Sequence, residues 1–138
     1  MPPTATPAAY EKTTNGVRVR VVPQFLDDRS TPEENYFFWA YTIEIANLGP
    51  APVQLKSRVW HITDARGKLE EVRGPGVVGK TPVIGPGDSF SYTSGCPLRT
   101  PSGIMVGSYQ MTDQDGQMFN VAIPAFSLDS PYAVRNLN

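Results

Sequence analysis

From Tyr36 to Ala46 the chain reads Tyr-Phe-Phe-Trp-Ala-Tyr-Thr-Ile-Glu-Ile-Ala, and every odd position (Phe37, Trp39, Tyr41, Ile43 and Ile45) is large and apolar. Thr42 and Glu44 mark the opposite parity. Side chains alternate faces along a β-strand, whereas a helical repeat of 3.6 would scatter this set around a cylinder. The run is therefore expected as a strand with its odd residues in the core. A lighter version precedes it, where Val17, Val19 and Val21 alternate with Arg18 and Arg20. Pro23, which cannot donate to a ladder, marks the end of that strand or an edge position.

The 14 Pro and 12 Gly among 138 residues fall between short apolar runs, which argues for a β-rich domain with many turns. The polar stretch Asp27–Asn35 reads as a loop and Asn47–Pro52 as a turn. Val53 to Asp64 is the next expected strand, and its parity changes. Val53 and Leu55 are odd but Trp60 and Ile62 even, so a bulge near Ser57-Arg58 is needed to keep both sets inside. Gly67 should supply a positive φ in the hairpin that follows. Leu69 to Arg73, Ser89 to Thr93, Ile104 to Thr112 and Gln117 to Ile123 complete about seven strands. Cys96 to Gly103 is read as loop, and Asp113–Gly116 joins the last two strands. An all-β, immunoglobulin/fibronectin type III-like antiparallel sandwich is the expected fold. One domain at 15–131 is expected to lie between a Pro/Thr/Ala-rich mobile tail at 1–14 and a C-terminal tail at 132–138. A chain of this length can bury roughly two thirds of its unfolded surface in one core.

Twelve basic and thirteen acidic side chains provide no field to attract nucleic acid or an anionic membrane. The N-terminus has no basic region followed by an apolar run, and no stretch approaches the length of a membrane span. Cys96 is the single cysteine, which leaves no intrachain disulfide to form. The expectation is a cytoplasmic protein that contacts neither nucleic acid nor membrane.

Gly74-Pro75-Gly76-Val77-Val78-Gly79 contains the G-x-G-x-x-G spacing by which dinucleotide sites approach a pyrophosphate. A helix opening there would meet Pro82 and then Gly85-Pro86-Gly87, so the required strand-turn-helix cannot form. A rigid loop between strands is expected. Its functional alternative is a row of N–H groups at Gly74, Gly76 and Gly79 that holds phosphate or pyrophosphate, with Arg73, Lys80 and Arg58 as flanking charges.

Metal and catalytic readings have less to stand on. His61 and Cys96 are the only imidazole and thiolate, without the spacing of a metal site, and Asp113-Gln114-Asp115-Gly116 lacks the remaining ligands of a calcium loop. A hydrolytic triad would have to use His61, in a strand beside Trp60 with no nucleophile elbow. The pairs Asp27-Asp28 and Glu33-Glu34 sit in a polar loop and read as a solvated face. No enzyme activity, cofactor or metal is expected.

Four segments in order, Ser57–Asp64, Val72–Gly79, Pro86–Gly95 and Phe119–Leu128, resemble the ApaG family, also called CorD, over about residues 16 to 131. The resemblance implies a sandwich of the fibronectin type III or immunoglobulin kind in a bacterial cytosolic protein. It also implies a genetic link to cobalt tolerance and magnesium efflux, and a kinship with interaction modules in F-box proteins and a polymerase-interacting protein. The family usually carries His immediately before the Trp. Here that position is Val59 and the histidine is His61, so a role of the usual His does not carry over. A binding or adaptor module with an unknown protein partner is the favoured reading. Phe38 and Ala40, on the face opposite the proposed core, are candidates for a partner or homodimer surface.

Overall fold

The computed structural model describes residues 9–133. Among them nine strands run in the order β1 (Tyr10–Thr14), β2 (Val17–Phe25), β3 (Phe37–Asn47), β4 (Val53–Asp64), β5 (Leu69–Pro75), β6 (Val83–Ile84), β7 (Ser89–Leu98), β8 (Ser102–Thr112) and β9 (Met118–Asp129). Two single-turn 3-10 helices, Asp27–Arg29 and Pro32–Glu34, interrupt the expected loop. All pairings are antiparallel, and they form two sheets, β1-β2-β3-β7 and β5-β4-β8-β9, with the short β6 beside β4.

The alternation in β3 does what its pattern requires. Phe37, Trp39, Tyr41, Ile43 and Ile45 are buried, and Val17, Val19 and Val21 of β2 lie fully buried in the same layer. Each such aliphatic side chain contributes about 1.5 to 3 kcal/mol relative to exposure. The opposing sheet supplies Leu55, Trp60, Met105, Tyr109, Val121 and Phe126. Trp60 meets Tyr41 edge-on at 5.4 Å and Phe126 at 5.9 Å, which ties the layers together at their centre. Tyr92 and Tyr109, from opposite sheets, share a 2.5 Å bond between their hydroxyls. In the β3–β4 turn the buried Asn47 amide donates to the carbonyls of Ala51 and Ile84 and accepts from the Gly49 N–H.

Gly67 has φ +82° as expected. Gly107, Tyr109 and Met111 face Ile123, Val121 and Phe119 across β8–β9. The bulge in β4 falls at Lys56, between Leu55 and Ser57, slightly earlier than expected.

Two expectations are corrected. Part of the proposed tail is a strand: Tyr10–Thr14 pairs with Val17–Val21 through Asn15-Gly16, both at positive φ, and only residues 1–8 of that segment lie outside the described residues. That turn conformation matches strand twist, and Asn-Gly favours it. Pro23 lies inside β2, beyond the last β1 pair at Val21, so it occupies a stretch that has become an edge. The expected loop Cys96–Gly103 is mostly strand, because β7 runs on through Gly95, Cys96 and Pro97 to Leu98. Gly95 is accommodated beneath the Phe38 ring, where an added Cβ would come within 2.6 Å of Cζ. Of the C-terminal segment, Tyr132 packs against Phe25 and Phe37, and residues 134–138 lie outside the described residues.

Candidate functional site

The glycine-rich hexapeptide contains no helix. Gly74 and Pro75 finish β5, and Val77-Val78-Gly79-Lys80 form a tight turn closed by Val77 N–H to Lys80 O (2.8 Å) and Lys80 N–H to Val77 O (2.9 Å). Its two central residues, Val78 and Gly79, have φ +45° and +78°. A β-branched residue rarely adopts that conformation, so Val78 is locally strained. Gly76 (φ +59°) has no room for a side chain, since a Cβ would lie 2.2 Å from the Lys80 carbonyl oxygen. Its N–H donates to Lys56 O at 2.9 Å. The donors of Gly76, Val77 and Lys80 are thus occupied by carbonyls of the chain itself.

The flanking cations are also engaged, except one. Arg58 Nη1 donates to the carbonyls of Pro75 (3.0 Å) and Gly76 (2.7 Å), bracing the loop from beneath, and its guanidinium packs against Gly74. Arg73 reaches back to Glu71 at 2.9 and 3.1 Å. That contact, with a second from His61 Nε2 at 3.0 Å, holds the Glu71 carboxyl below its usual range. Lys80 is exposed and makes no ion pair among the described residues.

Phe38 and Ala40 do face away from the core, opposite Pro97 and Gly95 of β7, and both are half-buried. Phe38 lies across Gly95 and beside Tyr36, their rings 6.4 Å apart.

The residues that sequence reasoning overlooked lie along β7. Between β7 and β5, the outer strands of the two sheets on this side, two adjoining hollows of about 210 and 230 Å³ open to solvent. Ile62, Glu70 and Pro97 stand in the walls of both. The inner hollow is floored by Tyr41, Trp60 and Met105, with Arg58 and Cys96 at its sides. The Trp60 indole N–H is buried without an acceptor. Burial pushes the Cys96 thiol up to about 11 and the phenols of Tyr41, Tyr92 and Tyr109 above their ordinary value. The outer hollow carries Arg66, Lys68 and Arg99 against Asp64. Asp64 is partly spent, accepting the backbone N–H groups of Arg66 and Lys68 at 2.9 Å. The expected loop reading of Cys96–Gly103 hid this feature. The apolar alternation of Tyr92, Cys96 and Leu98 was the available signal.

His61 lies on the outside of the second sheet, bonded to Glu71, whereas Cys96 is buried between the sheets. Among the described residues no three His, Cys, Asp or Glu side chains converge closely enough to hold a metal ion. No helix of the described residues is long and apolar enough to cross a membrane.

The same architecture recurs in known proteins. A protein described as ApaA from Bordetella pertussis superposes with TM-score 0.81 and 42% identity, covering 89% of this chain and 97% of that one. The C-terminal domain of Wzt shares the fold alone, at TM-score 0.54 and 11% identity over 96% of this chain and 84% of that one. The chain is 57% identical to Protein ApaG of Paramagnetospirillum magneticum and 58% identical to that of Brucella anthropi, each over 94% of this chain and 99% of the relative. Residues 27–113, from the first 3-10 turn to the end of β8, match the ApaG domain, and the chain belongs to the ApaG family.

Proposed function

We propose that this chain is a non-catalytic binding or adaptor domain acting in the cytoplasm. The observation that carries the reading is the open side of the sandwich, where two outer strands flank an apolar-floored groove and neither is paired on that side among the described residues. Unpaired strand edges with side-chain pockets beside them are a common device for gripping an extended segment of another protein. The half-buried Phe38 and Ala40 adjoin the same strand through Pro97 and Gly95 and would extend the contact.

The chemistry of the nucleophiles points the same way. Cys96 is buried with its thiol held protonated, which makes it a poor nucleophile at neutral pH. His61 is bonded to a carboxylate on the opposite side of the second sheet from the groove. The link to cobalt and magnesium that the resemblance implies would be indirect on this reading, exerted through a partner.

Affinity purification from the native host tests the proposal. One protein should be enriched with the wild-type chain and lost with Phe38→Glu, while the variant keeps its circular dichroism and cooperative unfolding. Retention of the same proteins by an unrelated sandwich of equal charge would remove the support.

A further inference from the structure

The four outermost strands differ in how their edges are treated. Unpaired N–H and C=O groups along a sheet edge are a template for another chain, and natural edges are blunted by shortness, charge or cover. β1 is five residues long and carries Glu11 and Lys12. β9 is covered by β1 and β2. β5 carries Glu70, Glu71 and Arg73 within seven residues and ends in Gly-Pro. β7 is ten residues long and has no charged residue, and its only blunting residue is Pro97, near the end.

Beyond their pairing with β3, the backbone groups of β7 have no strand partner among the described residues. Its outward side chains, Ser89, Ser91, Thr93, Gly95 and Pro97, are small and exposed, so another backbone can approach closely. A strand added there would lie about 4.8 Å from β7 and direct every second side chain into the groove toward Tyr41, Trp60 and Val72. The groove walls carry four cations, Arg58, Arg66, Lys68 and Arg99, against the carboxylates of Asp64 and Glu70.

We propose that the free edge of β7 is a docking site for an extended acidic peptide segment of a partner protein, added as a fifth strand to the first sheet with alternate side chains in the β5–β7 groove. The excess of cations selects acidic over basic segments. It also disfavours a second copy, because pairing β7 with β7 would bring two such rims together. This rests on the reading of the chain as a binding module and names where and what that module binds.

The test uses the full chain and a capped synthetic peptide of alternating valine and glutamate, as long as β7, followed by amide chemical shifts and hydrogen exchange. Saturable binding at sub-millimolar peptide is expected, with shifts and slowed exchange concentrated in Ser89–Leu98. A valine-lysine peptide should not bind. Of two valine-glutamate peptides N-methylated at alternate residues in opposite phase, one should bind and the other fail. The exposed pair Arg66→Glu and Lys68→Glu should weaken binding roughly three- to tenfold, with the thermal midpoint kept.

Absence of binding at millimolar peptide, equal binding of the lysine peptide, or indifference to both methylation phases overturns the proposal. So does concentration-dependent protection of β7 without peptide, which would assign the edge to a second copy. If the peptides fail while a host protein is still captured and lost with Phe38→Glu, the β7 proposal falls and the binding-module reading stands. If that capture fails as well, both fall.

Discussion

The two long sides of the sandwich are built differently. On one, β1 and β2 pack against β9: Tyr10 meets Phe126 at 6.0 Å, and Thr14 Oγ1 accepts the Ala122 N–H at 3.3 Å, so one sheet is sealed to the other. On the other side β7 and β5 stand apart, with a groove between them floored by aromatic and sulfur-bearing side chains. Both sides draw on the same core, and Tyr92 of β7 bonds to Tyr109 across the layers, yet only on the first side do outer strands of the two sheets pack closely on each other. Stability is thus concentrated on the sealed side, and the open side leaves surface for something else. Loops and clefts that bind are drawn from the less stabilised parts of a structure.

Truncation should expose the contrast most strongly. Phe126→Ala, on the sealed side, removes a ring that touches Tyr10, Tyr41 and Trp60, and should cost about 3 to 5 kcal/mol in denaturant unfolding. Val72→Ala, in the groove, should cost about 1 kcal/mol or less, since the side chain is half-exposed. Equal costs would erase the distinction between the two sides. Removing residues 1–14 sharpens it further. Loss of β1 unseals β9 and should destabilise by on the order of 2 kcal/mol, whereas a dispensable tail would leave the unfolding midpoint unchanged.

Alkaline pH probes the groove side through its buried acids. Cys96, raised by burial to about 11 from an ordinary 9.0, and the phenols of Tyr92 and Tyr109, also raised by burial, keep their protons longer when folded than when unfolded. Their stabilisation is therefore complete below pH 9 and is lost as pH rises. For Cys96 alone the loss between pH 9 and 11 is on the order of 2 kcal/mol. Unfolding curves across that range, with phenolate absorbance recorded in parallel, should show these tyrosines ionising only as the protein unfolds.

The smallest effect concerns the glycine loop, at the end of β5. Val78→Gly relieves a positive φ and should gain about 1 kcal/mol in the same unfolding assay. Because the loop donors of Gly76, Val77 and Lys80 already have acceptors, millimolar pyrophosphate should leave the amide shifts of residues 73–80 in place.

The strands that seal the centre were legible because one face of each is wet and the other dry. β3, β4 and the first half of the β8–β9 hairpin follow directly from parity, including the need for a bulge in β4. By contrast, β9 continues past the expected Ile123 to Asp129 with its buried side chains shifted from odd to even positions. Where the expectation failed, one local signal outweighed another. At residues 10–14 the Pro/Thr/Ala composition upstream masked Asn15-Gly16, a strong hairpin signal. At Gly95 and Pro97 two residues that usually break strands are tolerated, the glycine because Phe38 covers it and the proline because it sits on a strand with a free edge. The groove depends on which strands end up outermost, a property of sheet order that no local pattern encodes. Its lining residues come from β3, β4, β5, β7 and β8, and only the assembled topology brings them together.

Hydrogen exchange along β7, read amide by amide by NMR on the full chain, tests the open side most directly. Antiparallel strands alternate the direction of their N–H groups, so every second amide from Ser89 to Leu98 should be protected by β3 while the intervening ones exchange at nearly solvent-limited rates. Uniform protection along the strand would mean that the edge is already covered in solution and would contradict the account.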